Sequence, residues 1–221
     1  MKLKLSHLIT IGALSLAPAL ANASVITLDF EGVGNQAAIN DFYNGGTDSQ
    51  GNSGVNYGVS FGSDALGCID SDAGGSCAFA NEPTADTVMF FLSGSSVLSY
   101  DAGFDTGFSF FYTSARDVSV NVYSGVNLTG DLLGSINLSN NASDNACSGD
   151  PTGNFCNWDI GSLSFAGIAR SIDFGGAANY VGFDNITFGS TNPDTEVPEP
   201  SSLAILALGV LGLASRRLKS A

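Results

Sequence analysis

Imidazole is the first thing this chain is short of. Its 221 residues contain one histidine, His7, close to the N-terminus. The rest of the chain therefore has no base for a Ser-His-Asp or Cys-His arrangement and no histidine metal ligand. Lysine is nearly as scarce: Lys2, Lys4 and Lys219 all lie at the two ends, which leaves none to activate a serine. Between residues 24 and 200 the only cations are Arg116 and Arg170, against 21 acids. A body so acidic is repelled by DNA, RNA and anionic membrane surfaces, so nucleic acid is excluded as a partner and cations, Ca²⁺ above all, are favoured. Runs of helix-forming residues are also missing, which removes the crossover helices that a parallel sheet requires. The catalytic chemistry still open is a carboxylate pair about 5–9 Å apart, as in glycoside hydrolases. With 21 acids available the sequence selects no such pair. The chain therefore reads as a non-enzyme, with a two-carboxylate glycoside hydrolase as an alternative.

The ends are different in kind from the body. Lys2 and Lys4 precede an apolar run from Leu8 to Leu20, and Ala21-Asn22-Ala23 fits the small-x-small step that a signal peptidase accepts. Residues 1–23 are thus expected to be a signal peptide, with Ser24 as the first mature residue. At the other end Val197-Pro198-Glu199-Pro200 is followed by an apolar run, residues 203–214, and then by Arg216, Arg217 and Lys219. As a helix that run rises about 18 Å, short of the roughly 30 Å hydrocarbon core. The terminal cations suit a cytoplasmic stop. The expectation is a short transmembrane helix, inserted transiently in the inner membrane.

This order of Pro-Glu-Pro, apolar helix and arginine pair resembles the PEP-CTERM sorting signal of exported proteins of Gram-negative bacteria. The resemblance implies processing by an exosortase, an integral-membrane cysteine transpeptidase, at or near Val197 to Pro200. It implies export through the inner membrane and residence at the cell surface or outside the cell. Stretches such as DFYNGG, FANEP and FCNW also resemble segments that recur in other proteins with this tail, and they imply nothing catalytic.

Residues 24–189 are long enough for one domain with a core, and 190–196 read as a polar linker. Short period-2 or aromatic runs recur, separated by Gly, Asn, Asp and Ser: Ser24–Phe30, residues 55–63, Thr87–Leu92, Gly107–Tyr112, Val118–Tyr123, Leu132–Leu138, Ser162–Ala166, Ala169–Phe174 and Tyr180–Phe188. They predict an all-β fold, an antiparallel β-sandwich of sandwich or jelly-roll topology. Only Ala37–Tyr43 offers a short helix or a helical turn. Export to an oxidising compartment favours disulfides. The local pairs Cys68–Cys77 and Cys147–Cys156 are expected, each closing a loop rich in Gly, Asp and Asn.

Two places suit calcium, which takes six to eight oxygen ligands from flexible loops. One is Asp70 and Asp72, in the loop that Cys68 and Cys77 bracket. The other joins the chain's two ends. The outline of the body is similar to calcium-bearing jelly-roll modules that bind carbohydrate. That likeness implies an ion shared by Glu31, after the first strand, and Asp184, on the last, with Asp29 beside them. The competing expectation is that Asp184 and Asn185 hydrogen-bond a neighbouring turn. Trp158, in a polar loop, is the aromatic residue expected to contact a sugar. The functional expectation is a non-catalytic surface or extracellular-matrix protein, structural or adhesive among extracellular polysaccharide. A Ca²⁺-stabilised carbohydrate-binding module is the alternative.

Overall fold

Valine, isoleucine and phenylalanine at every second position generate the architecture. In the computed structural model, which describes residues 25–144 and 153–193, Val118, Val120 and Val122 point inward while Ser119 between Val118 and Val120 is exposed. Phe108, Phe110 and Tyr112 do the same on another strand. The described residues form eleven strands: β1 (Ile26–Leu28), β2 (Val59–Phe61), β3 (Leu66–Ile69), β4 (Thr87–Phe90), β5 (Ser96–Phe104), β6 (Gly107–Ser114), β7 (Val118–Tyr123), β8 (Leu132–Leu138), β9 (Asp159–Ser164), β10 (Ala169–Phe174) and β11 (Val181–Phe188). Their pairing is antiparallel throughout. One sheet, here sheet A, has the order β3-β4-β11-β6-β9, with β1 also paired to β11; the other, sheet B, has the order β2-β5-β10-β7-β8. An all-β sandwich is what the short alternating runs predicted.

The main core lies between the sheets and is aromatic. Phe110, Phe174 and Phe183 meet edge to face, with ring centroids 4.9–5.8 Å apart. Each ring fully withdrawn from water contributes roughly 1.5–3 kcal/mol, and such ring pairs add about 0.5–1.5 kcal/mol. A second, smaller cluster of Cys68, Phe79, Val88 and Phe90 lies apart from this core, with Phe155 and Trp158 packed against it. It forms because the segments at 70–86 and 153–158 fold back over sheet A. Gly182 on β11 permits the close approach, since a Cβ there would stand 2.6 Å from Phe79 Cε1.

Several local expectations need correction. β5, nine residues long, and β3 carry no strand signal strong enough to stand out. β5 is Ser- and Gly-containing and is broken by a bulge: Ser171 faces Ser99 and Ala169 faces Phe104, so Tyr100 to Gly103 oppose Arg170 alone. Arg170 Nε donates to Asp101 O at 3.2 Å and pins this bulge. The strand expected at 162–166 lies at 159–164. Ala37–Tyr43 forms turns rather than a helix, with Ile39 N donating to Ala65 O.

Cys68 and Cys77 are bonded, as expected, with Cα atoms 6.0 Å apart. Cys156 is also in a disulfide, while Cys147, its expected partner, lies outside the described residues. So do the expected signal peptide at 1–23, residues 194–196 of the expected linker and the C-terminal stretch at 197–221. Among the described residues no helix is long and apolar enough to cross a membrane.

Candidate functional site

The edge of β11 opposite β6 is shared by two strands. β1 covers Ile186 to Phe188 and β4 covers Gly182 and Phe183. Between them Asp184 and Asn185 face a gap. The register against β6 shifts there, and Asn185 adopts φ 48°. This bulge resets the alternation, so Phe183 points into the core and so do Ile186 and Phe188, three and five residues later. It also re-aims Asp184. Glu31 enters the gap from the end of β1, and Thr84 and Thr87 enter from the approach to β4.

The hydrogen bonds of the gap are crowded with acceptors. Asp184 Oδ2 accepts from Thr84 N at 3.1 Å, and Asp184 Oδ1 accepts from Asn185 N at 2.7 Å. Thr84 Oγ1 lies 3.1 and 3.0 Å from the two carboxylate oxygens and 3.2 Å from Asn185 Oδ1, so one hydroxyl proton serves three oxygens. Glu31 Oε1 accepts from Thr87 N at 2.9 Å. Asp29 Oδ1 accepts from Glu31 N and from the Tyr43 hydroxyl, which itself accepts from Phe30 N. Asn185 is expected from the sequence, with Asp184, as a turn-bonding residue, whereas Thr84, Thr87 and Tyr43 carry no sequence signal for this place.

Burial pushes the Asp184 carboxyl up to about 8; the Thr84 and Asn185 hydrogen bonds oppose the rise and the Glu31 charge adds to it. Glu31 is raised in the same direction, chiefly by burial, with Asp29 and Asp86 contributing. Asp48, shielded from solvent but less deeply embedded, behaves in the opposite way. Burial is again the largest single influence and raises it, but donation from Asn52, Gly34 and Gln50 outweighs burial and holds the carboxyl low. Depth of burial and the supply of donors together set these groups apart.

The remaining candidates are placed as follows. Asp70 is buried, its oxygens accepting from Phe79 N at 2.9 Å and Asp72 N at 3.2 Å, so it organises its own loop. Asp72 is exposed on that loop. Glu82, facing Asp70, Asp72 and Asp86, is pushed up to about 7 by burial first and then by those charges. Trp158 is half-buried over the small cluster, its ring 5.9 Å from Phe79 and its Nε1 donating to Ala80 O at 3.0 Å. The tyrosines form no single platform: Tyr43 is buried against Phe30, and Tyr180 lies under Arg116, 4.0 Å from its ring centroid. Asp184 is fully buried and offers a substrate no approach.

An all-oxygen set of this kind suits calcium. Among the described residues no three His, Cys, Asp or Glu side chains are grouped to hold an ion by themselves. An ion at the gap would therefore draw on Asn185 Oδ1 or on backbone oxygens beside Glu31 and Asp184.

Comparison with solved structures finds partial likenesses. The K2 cleaved adhesin domain of Lys-gingipain covers 75% of this chain and 99% of its own, at 13% identity and TM-score 0.46. A family 6 carbohydrate-binding module covers 48% and 76%, at 20% identity and TM-score 0.34. The module CBM6cm-2 of Cellvibrio mixtus lichenase 5A, solved with cellotriose, covers 59% and 89%, at 14% identity and TM-score 0.33. At these scores they are likenesses of outline. No curated protein matches the chain. One family description does match, over residues 196–218: the PEP-CTERM protein-sorting motif. The sandwich is thus carried on a chain whose C-terminus bears the sorting signal of exosortase substrates.

Proposed function

We propose that this protein is an exported, non-catalytic carbohydrate-binding module of the cell surface or extracellular matrix, steadied by a structural Ca²⁺ between Glu31 and Asp184. A signal peptidase would release Ser24 as the first mature residue. The apolar run at 203–214 would enter the inner membrane transiently, and exosortase would act at or near Val197 to Pro200. The role at the surface is adhesive, holding matrix polysaccharide. The sorting motif at 196–218 supports the route.

The observation that supports the reading is the oxygen set in the β11 gap, where one Thr84 hydroxyl proton serves both Asp184 oxygens and Asn185 Oδ1, and where the Glu31 charge acts on the Asp184 carboxyl. A divalent cation relieves that shortage by balancing both carboxylates. Asp29 would lie behind the ion, orienting the Glu31 backbone. Asp70 and Asp72 are the weaker site, because the loop's own N–H groups occupy the Asp70 carboxylate.

Thermal melts of the mature protein with CaCl₂ and with EDTA test the ion. Saturation to about 100-fold over Kd should raise Tm by roughly 5–10 °C, and Asp184→Asn should abolish the rise. An unchanged melt after chelation would sink the calcium reading. Retention of the calcium-loaded protein on neutral and acidic polysaccharide gels tests the binding role, and no retention on any gel removes it.

A further inference from the structure

The small cluster over sheet A has a cavity at its outer end, and the geometry points to this cavity, rather than Trp158, as the place where a neutral sugar ring binds. The inference rests on the carbohydrate-binding reading above and specifies its site and ligand class. The cavity measures about 240 Å³, and its apolar walls are Phe79, Phe90, Phe155 and Leu92. Its rim is polar: Gln36 and Asn179 bring side-chain amides, and Ser76 brings a hydroxyl that accepts from Gln36 Nε2 at 2.7 Å. Leu92 is 52% exposed and forms the solvent edge of the apolar wall.

The walls are fixed rather than incidental. The buried Asp70 carboxylate holds Phe79 by its backbone N–H, the Cys68–Cys77 disulfide ties the same segment to β3, and Ala80 N donates to Phe155 O at 3.0 Å. Gly182 leaves room for the Phe79 ring. On the far rim Asn179 N donates to Phe91 O at 2.7 Å, which presents its side chain at the edge of the cavity.

The lining chooses the ligand class. No Asp, Glu, Lys or Arg lines the cavity, and the surrounding body carries 21 acids, so an anionic sugar is repelled and finds no cation to pair with. The Ser76 hydroxyl is already bonded to Gln36 and Asn35, but a wholly apolar ligand would cover the remaining capacity of the Gln36 and Asn179 amides without pairing it, which is costly. A pyranose satisfies both parts, with a C–H face for the aromatic and leucine walls and hydroxyls for groups that donate and accept together. The size falls below the roughly 300–1,000 Å³ of drug-sized sites, which limits the cavity to one ring with neighbouring sugars running out to solvent.

The test compares the calcium-loaded mature protein with Gln36→Gly and Asn179→Gly on an array of neutral and uronic-acid oligosaccharides. Both positions have positive φ, 56° and 66°, so glycine removes the amide without backbone strain. Binding to neutral oligosaccharides, with roughly tenfold weaker binding for each variant at unchanged Tm, is the expected result. If the wild type binds neutral glycans and both variants bind equally well, the cavity assignment is overturned while the module reading stands. Preference for uronic acids overturns the ligand class. No glycan binding by the wild type overturns the module reading itself. A second copy in the cavity would show as self-association that Leu92→Asp abolishes, and that outcome also overturns the sugar assignment.

Discussion

The two sheets share one core but differ on their outer faces. Sheet B presents a polar surface: Ser119 Oγ donates to Asn137 Oδ1 at 2.9 Å and Ser135 Oγ to Asn121 Oδ1 at 2.6 Å, on exposed ground between β7 and β8. Sheet A is clothed. The segments at 70–86 and 153–158 lie over it and bring the disulfide at Cys68 and Cys77, the half-buried Trp158, the acids facing Glu82 and the cavity beside Leu92. Pairing and alternation are the same in both sheets. What differs is how much returns to cover the strands: sheet B carries the 124–131 loop over Ser99 and Ser171, whereas sheet A carries the longer segments at 70–86 and 153–158, and the candidate sites lie beside the longer cover.

The sharpest way to break this contrast is to remove the ring that holds the covering down. Phe79→Ala should cost about 3–5 kcal/mol in urea unfolding, because Phe79 sits over Gly182 with Phe155 and Trp158 against it and nothing is placed to fill its space. A loss below about 1 kcal/mol would mean that the covering is not part of the cooperative fold. Replacing Cys68 and Cys77 together by serine should cost about 2–3 kcal/mol in the chain-entropy account, read from the same denaturation curves.

Next in size is a pH effect confined to sheet A. Asp184 has a folded value raised to about 8, and Glu82 one raised to about 7, both above the ordinary range of an unfolded carboxylate. The folded protein then binds protons that the unfolded chain has already released. Their contribution to stability is complete below about pH 4 and is lost as pH rises through about 7 and 8, with a slope near 1 kcal/mol per unit for each group at most. Melts across this range without calcium should show the decline. Asp184→Asn should remove its share of the decline and leave the part due to Glu82, and saturating CaCl₂ should do the same to wild type by stabilising the Asp184 carboxylate. Stability that climbs steadily from pH 4 to 8 in EDTA would contradict the assignment. Smallest of all, Ser119→Ala or Ser135→Ala on sheet B should change stability by less than about 0.5 kcal/mol.

The sequence made the strands around β6, β7 and β10 legible because each buries one face, and period-2 alternation records that directly. β5 escaped notice because its serines and its four-residue bulge interrupt the alternation. In the sequence only the likeness to calcium-bearing modules links Glu31 with Asp184; the pairing of β1 with β11 is what sets the two segments side by side. The competing expectation for Asp184 has its counterpart in the bond from Thr84 N. The cavity was not readable. Its walls come from residues 79, 90, 92 and 155, which share no periodicity and meet only when loops fold onto a sheet.

By itself the sequence determined the absence of imidazole and lysine from the body, the all-β character and the sorting signal at the C-terminus. These depend on composition and local order, which need no distant partner. The tertiary structure decided which acids differ from the rest. Asp48 draws its donors from Gly34, Gln50 and Asn52, none more than 14 residues away, and is held low. Asp184 depends on Thr84, 100 residues away in sequence, and on a bulge that turns it toward Glu31, and is raised. The two aspartates are chemically identical along the chain, and the balance of donors, acceptors and charges around each is settled only by folding.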